Sequence, residues 1–166
     1  MPLYARDVMN EELITVRPEN TRQEVIDLFQ THRISGAPVV DGRGVLIGVI
    51  TLKDLLASDI GTPYETNYFF RTLEDHHFDE AQLQRVAGEG FVSDYLNRTV
   101  FTAYPNTTLA EIAQLMLDHK IHRLIITKPH TQIPIGIVTT FDLLKVLAQL
   151  HPADKILPEE IRLNIP

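Results

Sequence analysis

Cysteine is absent from the 166-residue chain, and so is tryptophan. Without thiols there can be no disulfide, no thiolate metal site and no cysteine nucleophile. Positive charge is scarce: 15 Lys and Arg stand against 22 Asp and Glu, a formal net charge of −7. The basic residues are scattered and form no stripe, so nucleic acid is not an expected partner. Long apolar runs are missing too. Val45 to Ile50 is among the longest, far short of the roughly 20 residues that span a bilayer, so no membrane partner is expected. The first residues lack the apolar core of a signal peptide. The expectation is a soluble, cytoplasmic chain. What is present suffices for a core: hydrophobic residues make up 44% and charged residues 22%, both ordinary for a globular fold.

The chain repeats itself. With an offset of 87, Asp7 to Ile34 lies on Asp94 to Ile121 without a gap, and nine of 28 pairs are identical, among them Asn10/Asn97, Pro18/Pro105, Glu24/Glu111 and His32/His119. One extra residue in the following turn makes the offset 88. Ile47 to Leu56 then lies on Ile135 to Leu144 with six of ten pairs identical, including Gly48/Gly136, Thr51/Thr139 and Asp54/Asp142. Two copies of a unit of about 50 residues are implied.

Both units give the same reading. A short strand is expected over Leu13–Val16 and again over Val100–Ala103. Thr21 and Thr108 each precede a Glu by three residues, the spacing of a capping box. The helices that follow show one apolar face, Val25, Leu28 and Phe29 or Ile112, Leu115 and Met116. Two β-branched runs joined by a turn come next, Asp41-Gly42-Arg43-Gly44 in the first copy. A short apolar helix closes each unit, Leu52–Ser58 and Thr140–Gln149. The fold class expected is α/β (α+β): β-α-β-β-α twice, packed about a pseudo-twofold axis, because a single unit of this size is marginal alone. The domains are residues 1–58 and 91–150, an inter-repeat linker 59–90 with a possible helix over Asp79–Ala87, and a tail 151–166. The linker carries Tyr64, Tyr68, Phe69, Phe70 and Phe78, expected to pack on their own pair of units; a docking or lid segment is the alternative.

The strongest motif is Gly-x-x-Thr-x-x-Asp, at Gly48, Thr51 and Asp54 and again at Gly136, Thr139 and Asp142. A strand ends at a threonine in an N-cap position, and a carboxylate follows in the first helical turn. One reading is a capping box with Asp as its acid. The other is a ligand site: a helix N-terminus suits an anion, and a carboxylate can accept from two neighbouring sugar hydroxyls. The residues alone leave both open. His119 with His122, and His76 with His77, lack the further ligands a zinc site wants. No metal site is expected, and no nucleophile-and-base arrangement or phosphate loop suggests catalysis.

The repeat resembles a tandem pair of CBS (cystathionine β-synthase) domains, also called a Bateman module. The resemblance rests on Asp7-Val8-Met9, Pro18 and Pro105, Ile34 to Val40, Lys120 to Leu124 and the two Gly-x-x-Thr-x-x-Asp strand ends. It implies two clefts for adenine-containing ligands. It assigns the ribose to Asp54 and Asp142, the phosphate to Thr51 and Thr139, and an apolar adenine slot to Thr15, Ala37, Pro38, Thr102, Leu124 and Ile125. His122 and Arg123 resemble the pair that meets nucleotide phosphates in the gamma subunit of AMP-activated protein kinase. The matching positions in the first unit are Ser35 and Gly36. The resemblance further implies that a cationic pair serves the other unit's Asp. The phosphate-friendly cleft is therefore expected at Asp54, facing His122 and Arg123, with Asp142 facing Ser35 and Gly36.

The function expected is a stand-alone regulatory protein, not an enzyme, with no obligatory cofactor. It would bind AMP, ADP or ATP, with S-adenosylmethionine and NADH as lesser candidates. It would signal through a homodimer or an effector protein. The alternative is a protein-interaction module with vestigial ligand sites.

Overall fold

The structure is a computed structural model that describes residues 1–55, 68–71 and 89–150. The expected helix over Asp79–Ala87, most of the linker and the tail lie outside these residues. In the first unit, helix α1 (Arg22–His32) precedes strands β1 (Gly36–Val40) and β2 (Leu46–Thr51), and residues 52–55 open a further helix. In the second unit, β3 (Thr102–Ala103) precedes α3 (Leu109–His119), β4 (Arg123–Thr127), β5 (Pro134–Thr139) and α4 (Thr140–Leu150). A short helical stretch between the units, Tyr68–Arg71, is α2. The mixed α+β architecture of two repeated units is thus as expected.

The repeat extends to helix caps and strand irregularities. Thr21 and Thr108 each cap their helix by accepting from the N–H of Glu24 or Glu111, and each glutamate accepts in return from the threonine N–H. Both helices end on a left-handed residue, Arg33 or Lys120. Both hairpins, β1–β2 and β4–β5, are antiparallel and carry an irregularity at matching places, Val39/Val40 and Ile126/Thr127.

One expected strand is missing. Residues 11–15 form no strand, and Val16 makes only an isolated bridge to Val39. The reason is a proline. In the second unit the Ile125 N–H donates to the Phe101 carbonyl at 3.2 Å, and β3 pairs in parallel with β4. The matching position in the first unit is Pro38, which has no N–H to offer Ile14. The second unit's strand is itself shorter than expected, two residues rather than four.

The units exchange their leading segments. Each unit begins with one turn of 3-10 helix, Ala5–Asp7 or Val92–Asp94. Ala5 is fully buried in the core of the second unit, with Ala103, Ile112 and Val138. Val92 is fully buried in the core of the first, with Val16, Val25, Phe29 and Val39. Backbone bonds secure both crossings: the Ala5 N–H donates to Thr107, and the Val92 N–H to Asn20. Val49 and Asn97 exchange both of their backbone bonds, as do Asn10 and Ile137. These approaches explain the motif glycines. A Cβ on Gly48 would run into Leu96 and the Asn97 carbonyl, and one on Gly136 would sit 2.9 Å from the Met9 sulfur and 3.0 Å from the Asn10 carbonyl. Neither core closes without the other unit's segment.

Candidate functional site

A cleft of about 480 Å³ opens between the units. The second unit contributes His122, Arg123, Ile137, Thr139, Phe141 and Asp142, and the first contributes Asn10, Glu12, Leu13, Ile14, Ile34, Gly36 and Pro38. Strand pairing explains the polar wall. Arg123 at the start of β4 lies opposite Thr139 at the end of β5. The α4 helix then begins at once and brings Asp142 around one turn later. The Thr140 N–H and hydroxyl both reach the His122 carbonyl, at 2.9 and 3.2 Å, and tie the helix start to the strand start.

This overturns the expected pairing of cations and carboxylates. His122 and Arg123 line the cleft of Asp142, in their own unit, not that of Asp54. The antiparallel register of β4 and β5 fixes this, because it puts Arg123 beside its own unit's threonine. Gly36 faces Asp142 across the same cleft, as expected, while Ser35 does not line it.

The two motif carboxylates differ. Asp54 is only 5% exposed. It accepts from both the N–H and the hydroxyl of Thr51, each at 2.7 Å, and its own N–H returns to that hydroxyl at 3.2 Å. Burial pushes its carboxyl up to about 6, against the lowering effect of the Thr51 bonds. Asp142 makes the same box with Thr139, at 2.9 and 2.7 Å, through Oδ2. Its Oδ1 accepts from the Lys145 ammonium at 3.1 Å, and the lysine is largely in solvent. The capping reading therefore holds at both places, and among the described residues Asp142, unlike Asp54, also faces a cleft. A surface pair of this kind is weak, so Oδ1 remains available to a ligand's hydroxyls.

Eight residues expected at a ligand site lie away from this cleft. Leu124, Ile125 and Ala37 are within 1% of full burial and belong to the two cores. Their side chains are packed into the cores and do not line the cleft. Thr51 and Asp54 are enclosed in their box, Thr102 is exposed on β3, and Ser35 precedes β1. Thr15 lines a separate surface hollow beside Val40 and Ile135, while its neighbour Ile14 turns into the cleft. The apolar wall is instead Leu13, Ile14, Ile34, Pro38, Ile137 and Phe141. A detectable signal existed for Phe141: it is the sole aromatic within either Gly-x-x-Thr-x-x-Asp motif, and it is half exposed at the cleft. His119, by contrast, packs on Phe101 with ring centres 4.9 Å apart and the rings tilted at 48°.

The family model for the CBS domain matches residues 5–61 and 92–149, most of the chain, in two copies. The chain belongs to the CBS domain family. The CBS domain-containing protein YhcV of Bacillus subtilis is 30% identical over 138 residues, which cover 83% of this chain and 81% of that one. MJ1225 of Methanocaldococcus jannaschii is 26% identical over 142 residues, 86% of this CBS pair but only 42% of that protein. Among solved structures, CBSX2 of Arabidopsis thaliana in complex with AMP aligns with a TM-score of 0.64, at 23% identity, over 89% of this chain and 98% of that one. The CBS domain pair of MJ0100 in complex with 5′-methylthioadenosine and S-adenosyl-L-methionine aligns with a TM-score of 0.63, at 19% identity, over 90% of this chain and 99% of that one.

Proposed function

We propose that this CBS pair is a regulatory, non-enzymatic module that binds one adenosine-containing ligand per chain, of the AMP, ADP or ATP class, in the Asp142 cleft. The observation that carries the reading is the gathering of four groups, Thr139, Asp142, His122 and Arg123, in one cleft whose remaining lining is mostly apolar, with Asn10 and Glu12 as the other polar side chains. Asp142 Oδ1 accepts from ribose hydroxyls once Lys145 swings aside. Arg123 forks onto phosphate oxygens, and His122 adds a bond. Pro38, Ile14, Ile137 and Phe141 offer the base an apolar lining. Related folds crystallised with AMP or with S-adenosyl-L-methionine support the ligand class. Asp54 takes no part: reaching it would require opening a buried box.

The output is proposed to run through a homodimer. Phe141 lines the cleft and also begins an exposed apolar stripe on α4, with Leu144, Leu147 and Leu150, each more than half exposed. A ligand that shifts Phe141 would bias what that stripe contacts. The same stripe is what favours the second reading, an interaction module that binds no nucleotide. Thermal melts with AMP, ADP, ATP, adenosine, S-adenosylmethionine and NADH separate the two, since a ligand of the native state raises the melting temperature. A rise with at least one adenine nucleotide, and a calorimetric stoichiometry of one per chain, is expected. No response to any of the six would leave the interaction module.

A further inference from the structure

His122 and Arg123 of the cleft rest on a segment that belongs to neither repeat. Phe69 and Phe70 of α2 are buried, with their rings edge to face at 4.9 Å. The Phe70 carbonyl accepts from the His122 N–H at 2.6 Å. The ring of Phe69 lies under the Arg123 guanidinium, 5.2 Å from its carbon to the ring centre. The same ring packs against Gly36: a Cβ there would stand 3.1 Å from Phe69 Cδ2.

Gly36 and Arg123 are repeat-equivalent positions, 87 residues apart. One phenylalanine therefore touches both. Together with the Thr51 methyl and the Ile50 carbonyl, its ring takes up the space that a side chain at position 36 would need, and it offers its face to the side chain at position 123.

We infer that Phe69 is a positioning residue for phosphate recognition, holding the Arg123 guanidinium at the polar end of the Asp142 cleft. The inference rests on the proposed nucleotide site. An arginine that first orders on its ligand loses rotamer freedom in doing so. One already laid on an aromatic face has lost it beforehand. Phe69 therefore governs affinity for the phosphate-bearing ligand and leaves the nucleoside part untouched.

Calorimetric titration of AMP and adenosine tests this on the full chain. The variants are Phe69→Leu, Arg123→Ala and the two combined. Phe69→Met, which keeps the apolar volume, runs beside them in case Phe69→Leu melts too low. AMP affinity is expected to fall roughly threefold to tenfold in the Phe69 variants, with adenosine within about twofold of wild type. In the Arg123→Ala background, Phe69→Leu is expected to cost no further AMP affinity, because it acts through the guanidinium. Equal losses for AMP and adenosine, no loss in either folded Phe69 variant, or an additive loss in the combined variant would each overturn the inference. If wild type binds none of AMP, ADP, ATP and adenosine, the nucleotide reading fails and the inference falls with it; if it binds ADP or ATP but not AMP, that nucleotide takes the place of AMP in the titrations. If wild type prefers AMP and the Phe69 variants keep that preference, only the inference falls.

Discussion

The two repeats share one plan and have been put to different uses, and the differences sit at a handful of matched positions. Pro38 in the first unit stands where Ile125 stands in the second. The proline withholds an N–H, so residues 11–15 stay out of the sheet and Ile14 turns into the cleft. Gly36 stands where Arg123 stands, and Lys53 where Phe141 stands. The motif aspartates match, yet Asp54 is sealed and Asp142 is not. A duplicated fold keeps its caps and bulges in both copies because each copy needs them to fold. Chemistry needs a cleft with a wet edge, and among the described residues it is the second unit's motif that borders one.

The largest effect should come from separating the copies. A fragment ending at Ser58 keeps Val16, Val25, Phe29 and Val39 but loses Val92, and it leaves Ala5 with no partner core. It should show no cooperative melt by circular dichroism. A fragment with native-like, cooperative unfolding would break the exchange of segments as the basis of the fold.

The next effect contrasts the carboxylates by pH. The folded state holds the Asp54 proton up to about pH 6, whereas the ordinary value is 3.8. The contribution of Asp54 to stability is therefore complete below about pH 4 and is lost as pH rises through 6. The loss amounts to about 3 kcal/mol for a shift of this size. Asp54→Asn keeps an acceptor for Thr51 and cannot ionise. Urea melts at pH 4 and pH 7.5 should show the variant gaining on wild type by that amount at the higher pH. A constant difference between the two proteins would mean that burial does not outweigh the Thr51 bonds and the Asp54 carboxyl is not raised.

A smaller effect should separate the motif glycines from the ligand story. Gly48→Ala drives a methyl group into Leu96 and the Asn97 backbone, and Gly136→Ala meets Met9 and Asn10. Overpacking of this kind costs about 1–3 kcal/mol, and Gly136→Ala should be milder because the flexible Met9 side chain can yield. Denaturant midpoints measure both. Equal losses would mean that the two crossings are packed equally tightly.

Much of this was legible in the chain. Thr21 with Glu24 and Thr108 with Glu111 announced their helices, and the pairs Gly48/Gly136 and Asp54/Asp142 announced the duplication. These are local signals, and local geometry fulfilled them. The site was half legible. Gly36, Pro38, His122, Arg123, Thr139 and Asp142 do meet in one cleft. The partnering was misjudged because strand register, not sequence spacing, decides which carboxylate Arg123 joins. Leu124 and Ile125 were misplaced for a related reason: alternation along a strand does not tell which face is the core when both faces are covered. Nothing in the spacing of Phe69 suggested that it would reach Arg123, 54 residues further on.

The central claim is that one cleft binds, and that it is the one carrying Asp142. Calorimetric AMP titrations of Asp142→Ala and Asp54→Ala, each against wild type, address it most directly. Asp142→Ala removes hydrogen bonds to a charged acceptor and should lower AMP affinity at least tenfold, since about 1.4 kcal/mol is a decade. Asp54→Ala should leave AMP affinity within about threefold, with one site per chain in the wild type. Loss of AMP binding in Asp54→Ala with binding intact in Asp142→Ala would contradict the account.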